Sequence, residues 1–267
     1  MSVATSFLKR DISLAISYRL SFILQIGGIF LNMAAFYFLS RLFGNALIPQ
    51  LAEYGGDYFS FVLIGLAFSG YLGLSLSSFA SSIRDGQMTG TLEIMLLSPT
   101  RLSAILLSSS LWPYLLTTIQ VVFYLVLGAL IFGFDVSHAN ILTAIVILIL
   151  SIASFSGFGI LSAAMVLIIK KGDPIAWIFG GVSSLLAGVY YPITVLPDWL
   201  TPLSRILPMT YALDAMRLAM LRGYSLYDVR LDVIVLAGFA LILTPLSFLA
   251  FRSALKRAKK EGSLLHY

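Results

Sequence analysis

Long stretches without a single charged residue alternate along the chain with short segments where charges gather. Residues 3–19 carry Phe7, Leu8, Ile12, Ala15 and Ile16 at helical spacing, with Lys9, Arg10, Asp11 and Arg19 between them. An apolar face beside a basic one predicts an amphipathic helix lying in a membrane interface. From Leu20 to Ser40 no residue is charged, which suffices for one crossing at about 20 residues per span. Uncharged runs recur over Tyr58–Ile83, Leu102–Phe134 and Ile141–Ile169. The third run exceeds one span, and Pro113 is expected to kink it. Asp173-Pro174, a capping acid followed by proline at the first helical position, opens a fifth run that ends near Tyr190-Tyr191-Pro192. The last is Val233–Phe251, before a basic tail over 252–267.

Residues 192–232 fit no simple span. Pro192, Pro197, Pro202 and Pro208 divide them, and Asp198, Arg205, Asp214 and Arg217 interrupt them. Trp199, Leu200, Leu203, Ile206 and Leu207 make the segment too apolar for an ordinary surface loop. Short broken helices at membrane depth are tolerated only where protein or a water-filled cavity covers them, so a re-entrant or interfacial element is expected. The predicted fold is an all-α integral membrane protein, a single domain over 1–267. It has six transmembrane helices, an N-terminal interfacial helix over 1–19 and an outer re-entrant helical element before the last span. With the N-terminus inside, 12 lysines and arginines fall in the inner segments and 5 in the outer ones. That bias predicts a multi-pass protein of the cell membrane with both termini cytoplasmic.

Composition narrows the picture. Charged residues make up 11% of the chain, against roughly 25% in soluble domains, so most of its surface faces something other than water. The net charge of +5 is accounted for by the inner lysines and arginines and does not indicate nucleic acid. There are no cysteines, which excludes disulfides, thiol catalysis and cysteine zinc sites. His138 and His266 have no ligand partner at metal spacing. Ladders of small residues, Gly65, Ser69, Gly73, Ser77 and Ser81, then Gly180, Ser184 and Gly188, are expected to let helices approach closely. No ionisable residue lies in mid-span, although ion-coupled carriers need one for the coupling ion. Gln25, Asn32 and Gln120 are the strongly polar side chains at depth, each expected to make an interhelical hydrogen bond. Asn32 and Gln120, with Phe36 and Tyr71, are also the candidate lining of a substrate path. With no clustered acid, base or metal ligands, the chain is not expected to be an enzyme. It lacks a G-x-x-x-x-G-K-[ST] loop, so any ATP it uses must be bound by another chain.

The inner loop 84–101 carries the most specific pattern. Gly90 can open a helix, Glu93 sits in its first turn where an acid complements free amides, and Pro99 closes it. Leu92, Met95 and Leu96 make one side apolar. A helix of this kind, held between two spans, fits a groove on a partner as a lever, or rests on the headgroups. Gly90-Thr91-Leu92-Glu93, Leu97-Ser98-Pro99, Gly188-Val189-Tyr190-Tyr191-Pro192, Leu196-Pro197-Asp198-Trp199-Leu200, and Leu207-Pro208-Met209-Thr210-Tyr211 with Arg217 follow in that order. Together they resemble the permeases of type-2 ATP-binding-cassette (ABC) exporters over nearly the whole chain.

The resemblance implies a second permease copy, as a homodimer or with a close paralogue. It also implies ABC ATPase subunits coupled through Arg84, Asp85, Gly90, Thr91, Leu92, Glu93 and Pro99. ATP and Mg would sit on that partner, with no cofactor on this chain. An outer gate is implied at Pro192, Pro197, Trp199, Pro208 and Arg217. Gly86, Gln87 and Met88 depart from the family, whose members often carry charges there. The uncharged, aromatic-rich spans suit a hydrophobic or amphipathic cargo, drug-like or lipid-like. A polysaccharide or lipid-linked glycan is the alternative within the family, and an ion-coupled secondary transporter the more distant one.

Overall fold

The computed structural model describes residues 3–17, 19–42, 49–90, 102–169 and 173–260, and every regular element among them is helical. The helices are α1 (Val3–Ser17), α2 (Arg19–Leu42), α3 (Tyr58–Met88), α4 (Leu102–Phe132), α5 (Ile141–Ile169), α6 (Pro174–Leu186), α7 (Thr201–Arg205), α8 (Pro208–Arg222) and α9 (Arg230–Lys260). Short 3-10 turns cover Pro49–Tyr54 and Ile193–Val195. Among the described residues, five helices are long and apolar enough to cross a membrane, within α2, α3, α4, α5 and α9. The chain is therefore an all-α, multi-pass membrane protein. The sixth expected crossing is the short helix α6.

The shortness of α6 has a local cause. Its 13 residues reach about 20 Å at ~1.5 Å per residue, less than the ~30 Å hydrocarbon core. Asp173 caps it by accepting the Ala176 amide at 3.0 Å, and the same carboxylate accepts the hydroxyl of Ser162 on α5. Ser162 lies seven residues before the end of α5, roughly 10 Å back along the axis. Thus α6 begins alongside α5, about two turns back from its end. It stops at Leu186, ahead of the expected Tyr190, because the chain turns at Gly188 with φ +80°.

Other boundaries also differ from the charge pattern. Helix α3 continues past Ile83 through Arg84 and Asp85 to Met88, and α9 carries Arg252, Lys256 and Lys260 as a direct helical extension. Backbone hydrogen bonding does not stop where the apolar run stops. Segment 192–232 is broken as its prolines predict, into a 3-10 turn, the five-residue α7 and α8.

Helix α5 lies between α3 and α9 in the centre of the bundle. Gly159 is why α3 and α5 can touch, since a Cβ there would stand 1.7 Å from the Ser75 carbonyl oxygen. Where α3 and α5 end, Phe79, Ile83, Ala163 and Leu167 pack with Phe251 and Ala254 of α9; this is the loop end. At the opposite, cap end, Phe59 and Leu63 of α3 join Phe134, Ala144 and most of α8. The expected small-residue ladders are mostly not the crossings. Gly65 is tightly covered, but Gly73 has nothing within 4 Å and Gly180 meets only Leu76 at 3.8 Å. Ser77 and Ser81 are exposed and bond back to carbonyls of their own helix. A small residue facing lipid carries no penalty, so spacing alone does not distinguish a crossing from an outer face.

Candidate functional site

The densest polar assembly is built around α8 at the cap end. Proline at its first position suits a helix start, where the missing amide has no acceptor to lose, and Gly223 ends it with φ +69°. Eleven of its residues are buried, among them Arg217, at 2% exposure. The Arg217 guanidinium donates from Nε to the Phe61 carbonyl at 3.1 Å and from Nη2 to the Val189 carbonyl at 3.0 Å. It lies 3.5 Å from the Phe61 ring centroid, a cation–π contact strengthened by desolvation. Among the described residues it forms no ion pair. Carbonyl dipoles and an aromatic face hold the charge instead. Gly65 makes this possible, because a Cβ would lie 2.2 Å from the Val189 oxygen and 2.7 Å from Nη2 of Arg217.

Three further ties fix α8. Asp214 accepts the Tyr54 hydroxyl at 2.5 Å, and burial, with the Asp214 carboxylate beside it, pushes the Tyr54 phenol upward so that it stays a donor. Arg222 donates to the carbonyls of Glu53 at 3.0 Å and Ala52 at 2.7 Å. The Asn140 amide donates to the Ala219 carbonyl at 2.9 Å. Helix α8 thereby connects the turn before α3, the first turns of α3, the turn after α6 and the α4–α5 connection. Of the expected gate residues, Arg217, Pro208 and Pro192 are buried in or against this assembly. Pro197 and Trp199 stand at the surface, Trp199 being 72% exposed. Tyr54, Asp214 and Arg222 were not among the expected site residues. The i, i+3 pairing of Asp214 and Arg217 in an apolar helix is a signal that could have found two of the four charged and phenolic groups, whereas nothing local marks Tyr54.

The candidate path residues do not converge. Tyr71 is buried and donates to Thr118 of α4 at 2.8 Å, beside a hydroxyl chain in which Tyr114 meets Ser75 at 2.6 Å and Ser156 at 3.0 Å. It borders a small, largely apolar cavity between α3, α5 and α8, also lined by Phe68, Leu148, Phe155, Ala212 and Leu213. Gln120 donates to Gln25 of α2 at 3.0 Å, the expected interhelical hydrogen bond. Phe36 stacks on Tyr190 at 5.7 Å and 15°. Asn32 faces outward from α2.

At the loop end, Arg84 and Asp85 belong to the last turns of α3, and Gly90 closes that helix with φ +68° instead of only opening the next element. Among the described residues, the Arg84 Nε and the buried Gln87 Oε1 have no hydrogen-bond partner. Thr91, Leu92, Glu93 and Pro99, the rest of the expected coupling set, lie outside the described residues.

Compared with curated proteins, the chain has no match. A family model does match: residues 89–221, from the end of α3 through Leu221 of α8, fit the ABC-2 type transporter domain. With its array of apolar helices on either side of that match, the chain is a membrane transport subunit of the ABC-2 type transporter family.

Proposed function

We propose that this chain is the permease half of an ATP-driven exporter of the cell membrane, with both termini cytoplasmic. It works with a second permease copy and with a separate nucleotide-binding subunit that holds ATP and Mg. The observation carrying this reading is α3, a single helix of 31 residues, about 46 Å long. One end runs into Gly90 and the segment bearing Glu93. The other presents the Phe61 carbonyl to Arg217. A push on segment 90–101 by a nucleotide-binding subunit therefore reaches the α8 assembly through one element, and that assembly guards the outer exit. The uncharged, aromatic-rich spans support a hydrophobic or amphipathic cargo.

Purification of the chain from its own membranes tests this. A nucleotide-binding subunit should co-purify, the pair should hydrolyse ATP and the chain alone should not. Glu93→Ala should weaken the coupling while leaving insertion intact. Transport by the chain alone, driven by an ion gradient, would end this reading.

A further inference from the structure

Two helices of equal length flank the inner loop, and they differ at one residue. Helices α3 and α4 each have 31 residues, but α4 carries Pro113 in its interior. Proline lacks the amide that would bond to the carbonyl four residues back, and its ring crowds that turn, so a helix bends there. The two sides of Pro113 are held differently. Among the described side chains, those of α4 that join the apolar packing of the bundle are Tyr114, Val121, Tyr124, Leu125, Leu127 and Phe132. All lie beyond the proline. The arm before it, residues 102–112, adds no described side chain to the loop-end core that α3, α5 and α9 share. Its described buried side chains are Ile105, Ser108, Ser109 and Ser110, and three of these are short hydroxyls with little surface for packing.

Tyr114, the residue after the proline, ties down the other side. Ser75 of α3 donates its one proton to the Tyr71 carbonyl at 2.7 Å, so it accepts the Tyr114 hydroxyl at 2.6 Å. Ser156 of α5, 3.0 Å away, therefore donates to Tyr114. One turn on, Thr118 accepts the Tyr71 hydroxyl at 2.8 Å and donates to the Tyr114 carbonyl at 2.8 Å. Each proton of this chain has an acceptor, and the chain runs from α3 through α4 to α5. We infer that α4 is hinged at Pro113: the arm 102–112 swings, while Tyr114 clamps the remainder of the helix to α3 and α5. The unbroken α3 then takes up a push on the inner loop, and α4 yields to it. That part in coupling rests on the proposed function; the hinge itself rests only on the fold.

The chain contains no cysteine, so introduced cysteines place spin labels where they are wanted. Leu107 and Leu115 of α4, on either side of the proline, and Leu249 and Leu241 of α9 are all exposed. In lipid discs, with labelled chain diluted into unlabelled chain, two distance distributions are compared. That of Leu107→Cys with Leu249→Cys should be about twofold broader than that of Leu115→Cys with Leu241→Cys. Pro113→Ala should narrow the first to match the second. Tyr114→Phe, which keeps the ring and removes the hydroxyl, should broaden the second. Equal widths without those two substitutions, or a Leu107 distribution indifferent to Pro113→Ala, would overturn the hinge. A Leu115 distribution indifferent to Tyr114→Phe would overturn the clamp. With the nucleotide-binding subunit and ATP added, the Leu107 distance should shift and the Leu115 distance should not; an equal shift of both would overturn the hinge's part in coupling. If the subunit co-purifies and the widths are equal, the hinge fails while the proposed function stands. If the widths differ and no subunit co-purifies, the proposed function fails and the hinge stands.

Discussion

Helices α6 and α8 have 13 and 15 residues, yet the more apolar of the two is the more exposed. Ser183 is the buried residue of α6, while Trp177, Ile178 and Leu185 point outward, Trp177 at 82% exposure. Helix α8 contains Asp214 and Arg217 and is buried along nearly its whole length. In water the order would be reversed. Where lipid is the solvent, apolar surface gains nothing by leaving it, and polar groups are the ones that must be enclosed and paired. The comparison identifies α8 as the fixed point of the cap end and α6 as a helix whose outer face carries little of the fold.

Substitutions at the two helices and their contacts should separate accordingly in thermal unfolding of the purified protein. The largest effect belongs to Arg217→Ala, which leaves the Phe61 and Val189 carbonyls unpaired and should destabilise by about 3 kcal/mol. Arg217→Lys should recover only part of that, because an ammonium cannot span both carbonyls with a planar fork. Gly65→Ala should follow, at roughly 1–3 kcal/mol, since the added methyl overlaps the Val189 oxygen. Tyr54→Phe removes the hydroxyl that Asp214 accepts and should cost about 1 kcal/mol. Trp177→Ala should be nearly silent, within ~0.5 kcal/mol. A large loss at Trp177 with little at Arg217 would invert the comparison.

How much of this was legible beforehand follows from the same physics. The uncharged runs marked α2, α3, α4, α5 and α9, because a helix of that length without a charge has no face to offer to water. Asp173-Pro174 fixed the start of α6, and the prolines after 192 marked the broken region. The limits of helices were less visible, since α3 and α9 run on through charged turns. The small-residue ladders misled, because Gly65 is covered by the Val189 turn and Arg217 while Gly73 faces outward at the same spacing. The partner of Arg217 could not be read either. Its acceptors are main-chain carbonyls of Phe61 and Val189, and a carbonyl has no sequence signature. Tyr54 reaches Asp214 across 160 positions of the chain, a distance no local pattern spans.

Nucleotide acting at the loop end should move the cap end, and this coupling is the central claim. Ala212 lines the cavity beside α8 and is 5% exposed, and the absence of natural cysteines makes Ala212→Cys a single reporter. In membranes containing the chain with its nucleotide-binding subunit, modification of Ala212→Cys by an impermeant maleimide should accelerate when ATP is supplied. The acceleration should vanish when Glu93→Ala is added. A labelling rate indifferent to ATP, or one that still responds with Glu93 removed, would contradict the coupling.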